Sequence, residues 1–367
     1  MTPLKELLNS SALEEISKSI FIHEPNFDHK RFVKETSPHL KKLELKGRVN
    51  FIADQLRIFL PQDLKKAIPI LTAAVQEKKG QANLSGFKVW PLTEFISKYG
   101  LDEVELSMKA LKQMTVVFTA EFAIRSFLLK DPKAILKYFD QWVKDPNEHV
   151  RRLVSEGLRP LLPWGQRLPL FVQDPKITWS YLEALKNDPS EYVRKSVANH
   201  INDHSKNHPE FITTFLLKWK KSDPKNEDLD KLIRHASRTL IKKNHLKAFA
   251  LHGVSLEKID VQSITFSKAH IKLGDSLEIS VKLRNPHNKS IKLILDHDVH
   301  LLKANGSHNV KCFKGKKIEI KSKEILIVPL KVKIAAVTTR TYYSGTHYWS
   351  LKINGQNYKK HSFKLKV

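Results

Sequence analysis

Leu, Phe, Ile and Val recur at three- and four-residue spacings up to about residue 250, with Pro and Gly mostly between the periodic stretches. That period places apolar side chains on one face of successive helices, so the region is predicted to be helical. Near His252-Gly253 the pattern changes. From about residue 258 apolar and polar residues alternate, as in Leu277-Glu278-Ile279-Ser280-Val281-Lys282-Leu283 and again over 325–334. Gly274-Asp275, Asn305-Gly306 and Asn354-Gly355 punctuate these runs as turns. Roughly seven short strands in about 110 residues predict a β-sandwich of immunoglobulin type.

The helical part contains a repeat. Asp145-Pro146-Asn147-Glu148-His149-Val150-Arg151-Arg152 matches Asp188-Pro189-Ser190-Glu191-Tyr192-Val193-Arg194-Lys195, 43 residues on. A weaker copy, Leu232-Ile233-Arg234-His235, follows 40 residues later. This is the period of HEAT-type helix pairs, which stack into a solenoid with a concave binding surface. Asp-Pro marks the turn inside each pair, because Pro fixes its own φ and turns its neighbour away from helix. Trp142, Trp179 and Trp219 precede the three second helices and are expected to pack. The predicted fold is multidomain, α plus β. An N-terminal α-solenoid of HEAT-like helix pairs spans residues 1–252, and a C-terminal immunoglobulin-like β-sandwich spans 258–367.

On a helical wheel, Val150, Leu153, Val154, Leu158 and Leu161 form one apolar stripe. Arg152, Glu156 and Arg159 lie opposite and are expected to be exposed together. Shifted by the repeat, the same positions are Lys195, Asn199 and Asn202, then His235, Thr239 and Lys242. A row of this kind suits the tracking of phosphates. Arg194, Arg234 and Arg238 belong to the same segments and are further DNA-binding candidates, with Arg159, Lys195, Asn199, His235 and Lys242.

Charge strengthens this picture. The 367 residues carry 64 Lys and Arg against 38 Asp and Glu, a formal net charge of +26. Such a balance points to a polyanionic partner, although a ribosome-associated or merely soluble basic protein would share it. From residue 258 onward 22 Lys and Arg face 7 Asp and Glu. The sandwich is therefore expected to grip a phosphate backbone too, unless its charge is only a solvated surface. Its candidates are Lys316 and Lys317, in a basic turn Lys314-Gly315-Lys316-Lys317, and the segment from Tyr342 to His347.

The single cysteine, Cys312, excludes an intrachain disulfide framework, a thiolate zinc site and an iron–sulfur cluster. The scattered 17 histidines show no His-Glu-x-x-His, and no nucleotide-binding glycine loop or Gly-x-Ser-x-Gly elbow occurs. No metal and no cofactor is expected. Met1 to Ser10 lacks the apolar stretch of a secretion signal, and no run approaches the roughly 20 apolar residues of a membrane span. A cytoplasmic protein that does not engage membranes is expected.

Three residues interrupt the pattern. Glu156 is the one acid among the nine positions of the polar row. It can be a salt-bridge partner of Arg152 or Arg159, or a carboxylate placed for chemistry on bound nucleic acid. Glu121 stands in the apolar run Phe118 to Arg125, either paired with Arg125 or held for catalysis. Trp164, in the loop Leu162-Pro163-Trp164-Gly165, can stack on a base or sugar, or cap the solenoid.

The segment Leu43-Glu44-Leu45-Lys46-Gly47-Arg48, the Asp-Pro repeats with Glu156 and Trp164, and the trailing immunoglobulin-like domain together resemble the AlkC DNA glycosylases. These are bacterial alkylpurine repair enzymes related to AlkD, and the resemblance covers essentially the whole chain. It implies excision of cationic N3-methylated bases, methyladenine and methylcytosine, from duplex DNA without flipping them out of the stack. It implies a monomeric, nucleoid-associated repair enzyme whose partner is double-stranded DNA with alkylated bases. Glu121 and Glu156 match the acids near the lesion; Trp164 and Arg152 match residues that line it. The alternatives left by the residues themselves are a non-catalytic damage-sensing DNA-binding module and a protein-interaction scaffold.

Overall fold

The computed structural model describes residues 3–76, 84–255, 257–337 and 340–367. The chain divides by packing into two units, Met1–His208 and Pro209–Val367. Among the described residues the first holds α1 (Ser10–Phe21), α2 (His29–Leu40), α3 (Leu45–Phe59), α4 (Leu64–Ala73), α5 (Trp90–Tyr99) and α6 (Val104–Met114). It continues with α7 (Ile124–Lys130), α8 (Pro132–Trp142), α9 (Glu148–Gly157), α10 (Pro169–Gln173), α11 (Lys176–Leu185) and α12 (Glu191–His204). The second holds α13 (Pro209–Ser222), α14 (Glu227–Ala236), α15 (Arg238–Lys242), α16 (Leu246–Ala250) and then eight strands.

The sequence repeat is also a repeat of hydrogen bonds. Asp145 Oδ1 accepts from the Asn147 amide at 2.9 Å, and Asp188 Oδ1 accepts from the Ser190 amide at 2.9 Å. Arg151 Nη1 then donates to the carbonyls of Asp145 and Pro146, both at 2.9 Å. Arg194 Nη1 does the same to Asp188 and Pro189, at 2.7 and 2.9 Å. Each Asp-Pro turn is thus tied by its own aspartate and clamped by the arginine of the helix it opens. Arg151 also forks onto the Asp188 carboxylate at 2.7 and 2.9 Å, joining one turn to the next. Trp142, Trp179 and Trp219 are all buried.

The strands form two sheets among the described residues. One has the order β1-β3-β6 and the other β2-β8-β7-β4-β5. Their ranges are β1 Asp260–Phe266, β2 His270–Lys272, β3 Ser276–Arg284, β4 Ile291–Leu302, β5 His308–Ile320, β6 Ile325–Lys333, β7 Gly345–Ile353 and β8 Gln356–Lys366. Leu277, Ile279, Val281 and Leu283 of β3 alternate into one apolar core with Leu293 and Leu295 of β4 and Leu351 of β7. Asn354 and Gly355 both take positive φ, 49° and 81°, as a two-residue hairpin turn between β7 and β8 requires. A side chain at Gly355 would begin 2.8 Å from the Phe249 ring of α16, so the last helices and the strands pack within one unit.

Two expectations need correction. Lys314-Gly315-Lys316-Lys317 is not a turn but the middle of β5, where the register with β4 shifts between Leu295 and His297. Gly315 is required there because a Cβ would fall 1.9 Å from the Leu295 carbonyl oxygen. Lys316 and Lys317 are exposed on the strand that edges this sheet. The segment from Tyr342 runs into β7, and His347 is fully buried.

Within the first unit, His200 and His204 stack one turn apart on α12, with ring centroids 4.9 Å apart. His200 Nδ1 donates to the Ser155 carbonyl at 2.9 Å, which leaves its Nε2 to accept from His204 Nε2 at 3.2 Å. Burial, with the neighbouring His204, holds His200 well below the usual histidine value, and burial holds His204 down to about 3. Both are neutral when folded, whereas the unfolded chain protonates them below about pH 6.5. Their contribution is complete above that value and lost as the pH falls, by roughly 1.4 kcal/mol per histidine per pH unit. Urea denaturation between pH 6.5 and 5 is expected to show this slope, and His204→Asn to remove about half of it.

Candidate active site

Glu121 sits in the turn before α7, and Arg152, Glu156 and Arg159 sit on or just beyond α9. The fold joins them into one chain of alternating charge. Arg152 Nη1 lies 2.6 Å from Glu121 Oε2, and Arg152 Nη2 lies 3.7 Å from Glu156 Oε1. Arg159 Nη1 meets Glu156 Oε1 at 2.6 Å, and Arg159 Nε meets Asp203 Oδ2 at 2.9 Å. Lys206 closes the far end, 3.2 Å from Asp203 Oδ1.

Neutral groups complete the hydrogen bonding. Thr119 Oγ1 donates to Glu121 at 2.7 Å and accepts from Arg152 Nη1 at 3.0 Å. Ser196, on α12, donates to Glu156 Oε2 at 2.5 Å. The Arg152 guanidinium lies over the Tyr192 ring, 4.8 Å from its centroid, a cation–π contact that leaves the edge of the guanidinium for the carboxylates. Burial pushes the Glu121 carboxyl above the usual carboxylate range; Arg152 opposes this, the nearby Glu156 adds to it, and Thr119 opposes it.

These positions correct two expectations. Glu121 does not pair with Arg125. Arg125 is fully buried and donates to the carbonyls of Gln166 at 2.5 Å and Gly157 at 3.0 Å. Burial and the neighbouring Arg159 hold its guanidinium down to about 10. Nor are Arg152, Glu156 and Arg159 exposed together: Glu156 is 5% exposed and Arg159 7%. The wheel identifies the face opposite the apolar stripe, but α12 packs against α9 and covers part of that face.

Trp164 stands apart from the ion chain in character. It is 57% exposed and has φ of 65°, a conformation that disfavours a bulky residue. The loop is held by Arg125 on Gln166 and by Lys46, whose Nζ donates to the Trp164 carbonyl at 2.8 Å. The segment Leu43 to Arg48 thereby acquires a role. Arg48 anchors it by donating to the carbonyls of Leu43, Lys5 and Leu8, and Lys46 reaches across to the tryptophan loop.

The remaining basic candidates divide between the two units. Lys195 is exposed and Asn199 half-buried on α12, in the same unit as Arg152. Arg194 clamps its own turn, as described above. His235, Arg234, Arg238 and Lys242 belong to the second unit. There Arg234 pairs with Asp230 at 2.5 Å, and Arg238 donates to the His235 carbonyl at 2.7 Å. The sequence assigns no site role to Asp203, Ser196, Thr119 or Tyr192, although one signal was available. Ser196 and Asp203 flank Asn199 by three and four residues on α12, and Asn199 is the repeat counterpart of Glu156.

Arg159 neutralises two buried acids at once. Arg159→Met is expected to destabilise the protein by roughly 3–5 kcal/mol in urea denaturation, because it leaves buried charge uncompensated. Lys195→Ala, at an exposed site on the neighbouring helix, is expected to stay within about 0.5 kcal/mol.

Residues 52–249 match the family model of DNA alkylation repair enzymes. Residues 260–367 match the model described as the C-terminal Ig-like domain of the uncharacterised protein YhaZ. The chain is similar to the uncharacterized protein YhaZ of Bacillus subtilis (strain 168), with 34% identity over 358 residues, 97% of each chain. Its structure is similar to that of the Pseudomonas fluorescens alkylpurine DNA glycosylase AlkC bound to DNA containing an abasic site analog. That match has a TM-score of 0.77 and 34% identity, and covers all of both chains. With the family model spanning more than half of the chain, this protein belongs to the DNA alkylation repair enzyme family.

Proposed function

We propose that this protein is a monofunctional DNA glycosylase that hydrolyses the N-glycosidic bond of cationic N3-methylated bases in duplex DNA. Its substrates are 3-methyladenine and 3-methylcytosine, and the base leaves without first being flipped from the stack. The observation that carries this reading is the pair Glu121 and Glu156, two carboxylates buried together and linked through Arg152. Full-length similarity to a glycosylase solved with abasic-site DNA supports it.

An N3-methylated base already bears positive charge and is a good leaving group, so departure needs no general acid. As the C1′–N bond breaks, the electron pair goes to the base and positive charge grows on the deoxyribose. A carboxylate fixed beforehand stabilises that charge without reorganising. It can also orient the water that attacks C1′ and take its proton. Glu121 is the better placed for proton transfer, because burial raises its affinity for a proton. Glu156, held by Arg159 and Ser196, supplies fixed negative charge. Trp164 offers an exposed aromatic face to the cationic lesion or its sugar, a contact worth about 0.5–2 kcal/mol. Lys195, Asn199 and the exposed Lys316 and Lys317 are assigned to phosphates, together with His235, Arg238 and Lys242.

Glu121→Gln and Glu156→Gln are each expected to lower the single-turnover rate of methylated-base release by roughly 100-fold or more, with Kd for lesion duplex changed less than about threefold. Base release at the wild-type rate in both variants would remove the carboxylates from the mechanism. Binding without any base release by the wild type would establish the damage-sensor reading instead. Steep loss of duplex affinity with added salt is expected for phosphate contacts, and its absence would favour a protein-interaction scaffold.

The pH profile carries a further expectation. Activity that needs ionised Glu121 is present above its raised pKa and lost as the pH falls through it. Removing the Arg152 cation disfavours the carboxylate further. The acid limb of Arg152→Met is therefore expected about one pH unit above that of the wild type, read from single-turnover rates.

A further inference from the structure

A recess with a cavity of about 150 Å³ lies in the first unit. Trp90 and Phe122 form its aromatic wall, stacked with centroids 4.9 Å apart and planes 19° from parallel. Trp164 lines it too and is 57% exposed, so the recess reaches the surface beside a residue already assigned to the lesion. Phe122 follows Glu121 directly in the chain. The recess therefore shares Trp164 with the candidate site and is joined in the chain to Glu121 through Phe122.

Polar side chains line much of the rest: Lys46, Asn50, Glu94, Ser97, Ser126 and Gln166. The carboxylate of Glu94, half-buried on α5, makes no hydrogen bond or ion pair among the described residues. Burial pushes its carboxyl above the usual range, against the pull of Lys98 and Lys46. Lys46 and Asn50, both from α3, line the same space; each spends one donor hydrogen on a backbone carbonyl, of Trp164 and of Lys46 respectively, and has others to offer. A cavity of about 150 Å³ is the size that holds a single benzene-sized ring. Aromatic walls favour a planar ring, and a carboxylate accepts from the exocyclic amine of a cytosine. The amide and ammonium suit the carbonyl oxygen of such a ring. A purine carries a second ring that exceeds this volume.

We propose that this recess is a subsite for a free methylated pyrimidine, the 3-methylcytosine freed by the reaction, with Glu94 accepting from its exocyclic amine. That base identity depends on the glycosylase reading above, whereas preference for one ring over two follows from the recess alone. The subsite holds the base after the glycosidic bond is broken, which keeps it from the abasic sugar while the water attack is completed.

The test uses the full-length protein without DNA, titrated with free 3-methylcytosine and, separately, free 3-methyladenine. Tryptophan fluorescence and calorimetry both report binding. Saturable binding of 3-methylcytosine is expected, about tenfold tighter than 3-methyladenine and about tenfold weaker in Glu94→Gln, the loss expected for one hydrogen bond to a charged group. Ser126→Leu, which fills the recess from α7, is expected to abolish binding while thermal melting confirms its fold. No saturable binding, purine binding as tight as pyrimidine binding, or unchanged affinity in Glu94→Gln would overturn the proposal. Base release from lesion DNA is measured separately, so a protein that binds the free base and releases none would refute the glycosylase reading and leave the subsite standing.

Discussion

Arg159 is the interaction on which the site depends. It joins Glu156 of α9 to Asp203 of α12, with all three groups buried. A carboxylate taken out of water costs several kcal/mol unless paired and hydrogen-bonded. One guanidinium, offering donors in a rigid fork, satisfies two such groups and fixes the distance between their helices. Ser196 takes the remaining oxygen of Glu156. The consequence is a carboxylate fixed in place and shielded from water, where fixed charge acts more strongly than in solvent. Arg152 extends the chain to Glu121, and it is more accessible than Arg159, with 16% of its side chain exposed. The chain therefore runs from a locked end at Asp203 to a more open one at Arg152.

The solenoid supplies the frame through repetition, and the chemistry arises where repetition breaks. Asp145 with Arg151, and Asp188 with Arg194, build the same clamped turn twice. Glu156 has Asn199 as its counterpart, and Arg159 has Asn202. The scaffold positions demand the same residues in both copies; the polar face of each second helix is free to differ. Trp164 shows the same division. A bulky residue at positive φ costs of order 1–3 kcal/mol, and it persists because Lys46 and Arg125 hold the loop from both sides.

The charge distribution follows similar logic in the second unit. The edge strand β5 carries Lys311, Lys314, Lys316 and Lys317, and the bulge at Gly315 breaks its regular pairing. Charge and a bulge both blunt an exposed strand edge against pairing with another chain. The same features leave a basic ridge available to a polyanion, so one set of residues serves solubility and the proposed grip on phosphate.

The sequence by itself determined the order of elements and the repeat. Hydrophobic periodicity is a local property, and the change from spacings of three and four to strict alternation is visible without any contact. The Asp-Pro turns were legible for the same reason, since each is built within about six residues. The immunoglobulin-like sandwich was legible in type, but β5 was misread where Lys-Gly-Lys looked like a turn. Glycine marks a tight backbone approach as readily as a reversal, and only the β4 register reveals which. Tertiary structure alone decided the site. Arg125 is four residues from Glu121 yet turns to Gln166 and Gly157, while Arg152, 31 residues away, takes the acid. A helical wheel gives direction around one axis and nothing about the helix that will cover it. Packing of α12 on α9 turned an expected exposed row into a buried ion chain, and brought in Asp203 and Ser196, which no local pattern ties to Glu156.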